Sequence, residues 1–225
     1  MATTTIYATT NSSGRGVIGA SGTDWDDVVA ASTGIIYTSS SFTFAVRTGA
    51  IEGRGGLAYF VNRAFVFFDV SSITTTITAA TVKVYGGSQL NANVGMYKST
   101  AFGNNGSSLV AGDFDSVTST LQSATIYNDL NSWTTNALNS FALNATAITD
   151  LNANNYGNYV FRTTADVDEE EPEEDSYAGI NFQTSGTNRI QIEITHADPG
   201  YGNNVNDVTA SNIVKINDVA TASVT

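Results

Sequence analysis

The chain has 225 residues, of which 41% are hydrophobic, enough for a substantial core, but only 13% are charged. That is about half the usual charged share, and the Thr, Ser, Asn and Gly that replace it favour strands and turns over helices. A net charge of −12 argues against nucleic acid and anionic membrane surfaces as partners, and the absence of cysteine excludes disulfide scaffolds and thiolate metal sites.

Residues 1–22 read as an extended N-terminal arm or short edge strand, with β-branched and aromatic character from Thr3 to Tyr7. Met1 to Thr10 has no basic region followed by an apolar run, so no signal peptide is expected. No later stretch approaches the roughly 18 apolar residues of a spanning helix. Short strands are expected over Gly34 to Thr38 and Ser41 to Arg47, the latter with Val46 alternating against Ala45 and Arg47. Ile51 to Gly56 reads as a loop.

The strongest strand signal is Arg63 to Val70, with Phe65 and Phe67 on one face and Val66, Phe68 and Val70 on the other. Both faces should be covered, as in a central strand of a sandwich. Thr74 to Thr78 is a β-branched edge, and Ala79 to Tyr85 a strand with Val82 and Val84 inward. Gly86 and Gly87 predict a turn, Val94 to Lys98 a strand, and Gly103 to Gly106 a second turn. Leu109 to Val117 and Leu121 to Tyr127 read as short strands.

The helical candidate is 137–151, where Ala137, Phe141, Ala145 and Ile148 recur at spacings of four and three. Tyr156 to Thr163 is again a strand, and an acidic loop runs from Asp166 to Asp175. Ala178 to Thr184 and Arg189 to Thr195 close the domain, with Ile190, Ile192 and Ile194 inward. From His196 onward the chain becomes Gly- and Asn-rich, and Val205 to Val208 recurs as Ile216 to Val219. The resulting division is an arm (1–22), a β-sandwich domain (23–195) and a linker with an assembly or anchoring segment (196–225). The expected fold is all-β: an antiparallel, jelly-roll-like sandwich with extended N- and C-terminal arms.

Three blocks between Arg63 and Thr195 resemble the DNRLRE-type domain of bacterial and phage surface proteins. The first is Arg63 to Ile73 with Ala79 to Tyr85, an aromatic strand ending in Asp69, a turn and a second strand. The second is Trp133, Phe141 to Asn144 and Ala147 to Leu151. The third is Tyr159 to Arg162, the acidic loop and the closing strand. The hexapeptide that names the family is absent, and Asn188 stands where the family often has proline. The tail from Gly200 to Val219 looks like segments at the ends of phage tail and head-fibre proteins. Together the resemblances imply a β-sandwich exposed on a virion.

Candidate chemistry is sparse. His196, the single histidine, opens the linker, where a surface histidine is expected and a catalytic base is not. The carboxylates Asp166, Asp168, Glu169 and Asp175 are calcium candidates, although consecutive carboxylates without ligand spacing more often form a solvated, self-repelling loop. No other cofactor is expected. Asp24, Trp25, Asp26 and Asp27 are glycan candidates, because an aromatic face stacks on a sugar ring while carboxylates accept from hydroxyls. Ile6, Val205, Val208, Ile213, Ile216 and Val219 are apolar positions in the terminal segments that need a partner to leave water.

The expected function is therefore non-enzymatic. It is that of a bacteriophage structural protein on the virion exterior, a tail or head fibre or a capsid decoration protein. Its partners would be copies of itself, other virion proteins and host surface polysaccharide. The alternative is a carbohydrate-binding or adhesion module of a secreted, extracellular bacterial protein.

Overall fold

The computed structural model describes residues 1–9, 14–37, 43–127, 133–183, 185–198, 215–216 and 219–220, with 43–44, 215–216 and 219–220 described by backbone alone. The chain opens with β1 (Ala2–Tyr7) and β2 (Arg15–Gly22), passes helix α1 (Trp25–Val29), and continues through β3 (Ile35–Tyr37) and β4 (Thr43–Gly53). Next come β5 (Gly56–Asp69), β6 (Ile77–Leu90) and β7 (Val94–Ser99). A 3-10 turn at Ala111–Asp115 precedes β8 (Val117–Leu121) and β9 (Leu138–Ala142). Helix α2 (Ala145–Asn154), β10 (Tyr156–Thr163), helix α3 (Thr164–Asp168), β11 (Ser176–Asn181) and β12 (Gln191–His196) complete the body. Beyond it, β13 (Lys215–Ile216) pairs with β14 (Val219–Ala220) in a separate two-stranded sheet.

The body is the expected all-β antiparallel sandwich, built from one open sheet of 12 strands. Its order is β1-β12-β6-β11-β4-β5-β10-β7-β8, with β2 added on β5, β3 on β2 and β9 on β6. So many twisted strands do not stay flat, and the sheet folds over on itself. The two 14-residue strands accomplish this by changing partners along their length. β5 pairs with β4 over Gly56–Asn62 and with β10 over Ala64–Asp69. β6 pairs with β12 over Ile77–Lys83 and with β11 over Tyr85–Leu90.

Alternation along β5 feeds two cores. Ala64, Val66 and Phe68 enter the main core with Val82, Val84, Phe141, Phe161, Ile180 and Ile192. Phe65 and Phe67 enter a second core with Val160, Tyr97, Phe102, Phe114 and Trp25. This second core lies on the outer face of β5, β10 and β7, under α1, the 101–110 turn and the 3-10 turn. The inward Ile190, Ile192 and Ile194 are buried as the alternation predicts.

Several local expectations shift. Residues 1–22 are not an arm. β1 lies along β12 from Ala2↔His196 to Tyr7↔Gln191, and β2 lies along β5 with Val17 and Ile18 fully buried. Their apolar positions find cover on their own sheet, and Gly19 lets β2 approach Asn62, whose Oδ1 a Cβ would meet at 2.3 Å. Gly86 is likewise no turn. β6 runs through it to Leu90, and a Cβ there would meet Asn139 Nδ2 and Thr134 O at 2.4 Å. The helix starts later than its periodicity predicts. Phe141 lies on β9, paired with Val82, and Asn144 caps α2 by accepting from the Ala147 N–H. Around Leu109 to Val117 a 3-10 turn replaces the expected strand, because Asp113 turns back to accept from the Val110 N–H at 2.7 Å.

Candidate functional site

Most of the residues singled out by chemistry cluster over the second core, where the structure gives them structural work. Asp166, in α3, is 1% exposed and lies between two arginines. Arg63 reaches its carboxylate from Nη2 at 2.6 Å and from Nε at 3.0 Å. Arg162 donates from Nε at 2.7 Å and also bonds the Asp166 carbonyl from Nη2 at 2.7 Å. Burial by itself pushes the Asp166 carboxyl up, but the hydrogen bonds and charges of Arg162 and Arg63 outweigh it and hold it below the usual carboxylate range. Arg63 also donates to the Phe114 and Val29 carbonyls at 2.8 and 3.1 Å and lies 4.0 Å over the Phe114 ring. One guanidinium thus ties α1, the 3-10 turn and α3 to β5.

The calcium candidates are not brought together. Asp166 belongs to the arginine cluster, and Asp175 takes a bidentate bond from Arg47 at 2.6 and 2.7 Å. Asp168 ends α3, and Glu169 caps it in the left-handed conformation. Among the described residues no group of three or more His, Asp or Glu side chains could hold a metal ion. The acidic loop is also less detached than a solvated loop. Glu171 accepts from the Tyr59 hydroxyl, and the Glu169 carbonyl accepts from Trp25 Nε1 at 3.0 Å.

The glycan candidates form a helix start. Asp24 caps α1 by accepting from the Asp26 and Asp27 N–H groups. Trp25 is buried against Tyr59, with ring centroids 6.0 Å apart, and so presents no open face to a sugar. Asp26 and Asp27 are exposed in its first turn.

The terminal candidates divide. Ile6 packs on the main core opposite Ile192. Ile216 and Val219 face each other in the β13–β14 pair, while Val205, Val208 and Ile213 lie outside the described residues. His196 is not a surface histidine in a linker. It ends β12, 8% exposed, with Thr4 Oγ1 at 3.0 Å from Nε2 and Thr75 Oγ1 at 2.9 Å from Nδ1.

The sequence reading missed a small pocket of about 150 Å³ between the ends of β7 and α2 and the start of β10. Lys98, Thr100, Gly103, Gln122, Asp150 and residues 156–159 line it. Lys98 Nζ meets an Asp150 carboxylate oxygen at 2.7 Å at its rim, both side chains partly exposed. Two atoms of its lining residues, Gln122 Nε2 and Asn158 Oδ1, are buried and find no hydrogen-bond partner among the described residues. Among the described residues three side-chain atoms are buried and unpartnered, and two of them belong to residues that line this pocket. Each is held at a cost of about 1–3 kcal/mol if nothing fills its valence. The Asn158 amide is oriented by its Nδ2, which donates to the Gly103 carbonyl at 3.3 Å. The one signal for this site in the sequence is Asn158 itself, a polar residue inside a strand covered on both faces.

No model of a known protein family matches the chain, and no curated protein is detectably similar to it.

Proposed function

We propose that this chain is a non-enzymatic structural protein of a bacteriophage exterior, a tail or head fibre or a capsid decoration protein. It would act by assembling through its C-terminal segment and presenting its sandwich to a host surface. The observation that carries this reading is the C-terminal hairpin, whose strands pair only with each other among the described strands and take no place in the 12-stranded sheet. A two-stranded hairpin is marginal by itself in water. Ordering each residue costs about 1–2 kcal/mol, so the segment gains most from cover supplied by another chain. The resemblance to surface-protein sandwiches and to fibre tails supports the particle setting. The net charge of −12 suits a surface held at high copy number.

The test compares the full chain with a truncation to residues 1–198, which keeps β1 and β2 because they are strands of the body. Native mass spectrometry should find the full chain as a homo-oligomer and the truncated one as a folded monomer with the same circular dichroism. A monomeric full chain, or a truncated chain that assembles equally well, would overturn the assembly reading.

A further inference from the structure

We infer that the open edge of β1 receives residues 219–225 of a second copy as an added strand. This rests on the assembly reading and names the surface that the C-terminal segment meets. β1 is the terminal strand of the sheet and pairs with β12 alone among the described strands. Its ladder runs from Ala2↔His196 to Tyr7↔Gln191 without a register shift, and the Ala8 N–H continues it by donating to the Ile190 carbonyl at 3.0 Å. Backbone groups of successive strand residues point to opposite sides. Ala2, Thr4 and Ile6 therefore bond β12, while Thr3, Thr5 and Tyr7 turn their N–H and C=O groups to the open side. Native sheets guard such edges with charge, proline, bulges or short length. Ala2–Tyr7 has six residues with no charge, no proline and no bulge. The other outer strands are short, broken or taken. β3 has three residues, β8 shifts register against β7 between Tyr97 and Ser99, and on β9 the Ser140 N–H donates to the Tyr127 hydroxyl at 2.8 Å.

Chemistry and reach select the donor. Val219 to Thr225 carries no charged side chain, so in a chain of net charge −12 it meets the uncharged β1 without like-charge repulsion. Continued as a strand from β14, it puts Ala220, Ala222 and Val224 on one face and Thr221, Ser223 and Thr225 on the other. β1 divides the same way. Ala2, Thr4 and Ile6 are half-buried, with Ile6 against the main core, while Thr3 and Thr5 are exposed. Laid alongside, the apolar face of the donor extends the cover over Ile6, and its hydroxyl-bearing residues pair with Thr3 and Thr5. The body also ends beside this edge, where Asp198 Oδ2 accepts from the Met1 α-ammonium at 2.6 Å. The stretch from Asp198 to Val219 spans up to about 70 Å when extended, enough to reach a neighbouring copy.

The experiment blocks acceptor and donor separately in the full chain. Thr5→Pro removes an outward N–H and leaves the β1–β12 bonds intact. It should be monomeric by native mass spectrometry where the parent is a homo-oligomer, with an unchanged circular dichroism spectrum. Ala222→Asp combined with Val224→Asp puts charge on the donor's apolar face and should also give a folded monomer. Mixed one to one, the two variants should recover a complex, because one brings the donor and the other the open edge. In the parent, the Thr3, Thr5 and Tyr7 amides should exchange with deuterium at least about 10-fold more slowly than in the donor variant, with Thr4 and Ile6 little changed. Should Thr5→Pro unfold, Thr5→Lys at the same exposed position takes its place and should weaken assembly about 10-fold. If the parent assembles and the 1–198 truncation does not, yet the β1 variants assemble like the parent, the assembly reading stands and this inference is overturned. It is also overturned if the donor variant still assembles, which would pair β1 with a second β1, or if the two variants fail to combine. A monomeric parent overturns both readings, and slow exchange at Thr3 and Thr5 in it would mean that the segment docks on its own β1.

Discussion

On one face of β5, Val66 and Phe68 lie in the main core, whose members come mostly from other strands. There Phe141 and Phe161 rings lie 5.0 Å apart, and Phe68 meets Tyr159 at 6.4 Å. On the opposite face, Phe65 and Phe67 are covered by short helices and turns, and a buried arginine stands among them. The difference follows from what the covering elements bring. A strand arrives with its backbone groups already paired in the ladder. A short helix or turn arrives with orphan carbonyls at its end. Arg63 satisfies two of those, at Val29 and Phe114, and Asp166 balances its charge. The main core is held mostly by shape, with Arg15 over Phe182 at its edge; the second core needs donors at fixed places.

This contrast can be broken most sharply at Asp166. Asp166→Ala leaves Arg63 and Arg162 buried without a counter-charge, and should cost about 5 kcal/mol in urea unfolding, the upper end of what breaking a buried ion pair costs. A loss below about 2 kcal/mol would mean the arginines find other partners. The same residue gives the comparison a pH signature. Its folded-state carboxyl is held below its unfolded value, near 3.9. The stability it contributes is therefore fully present above that value and is lost as pH falls through the lower folded-state pKa. Asp166→Asn should flatten the acid limb of the stability curve.

Phe68→Ala tests the other face. It should cost about 3–5 kcal/mol through the cavity left in the main core, with the acid limb unchanged. If Phe68→Ala altered the pH dependence, the two faces would be coupled through β5 rather than separately held.

The smallest effect belongs to the rim. Replacing Glu169 to Glu174 by a Gly/Ser segment of equal length should cost under about 1 kcal/mol. Loop closure entropy is nearly unchanged, the Trp25 bond goes to a backbone carbonyl, and the side-chain bonds lost among those described are Tyr59–Glu171 and the exposed Asn91–Glu174. A drop in thermal midpoint as large as that of Phe68→Ala would place the loop within the second core's support.

The strands were legible where alternation is strong. Arg63 to Val70 declared both of its covered faces, and Ile190, Ile192 and Ile194 declared theirs. Phe141 misled, because a residue at helical spacing from Ala137 and Ala145 also sits at strand spacing from Asn139. Only pairing with Val82 decides between the two periods. The pocket was nearly invisible. Lys98, Gln122, Asp150 and Asn158 come from four separate segments, and each is unremarkable where it stands in the chain.

By itself, then, the sequence determined the class of fold: β-branched and aromatic alternation, abundant turn residues and little charge leave few outcomes other than stacked strands. It also determined which residues alternate toward which face. The tertiary structure decided which carboxylate is buried, that both tryptophans are core, and which amides are left without a partner. Alternation is local and survives in the one-dimensional record. The pairing of Asp166 with Arg63, 103 residues away, depends on how the sheet folds over, a property carried by no single segment.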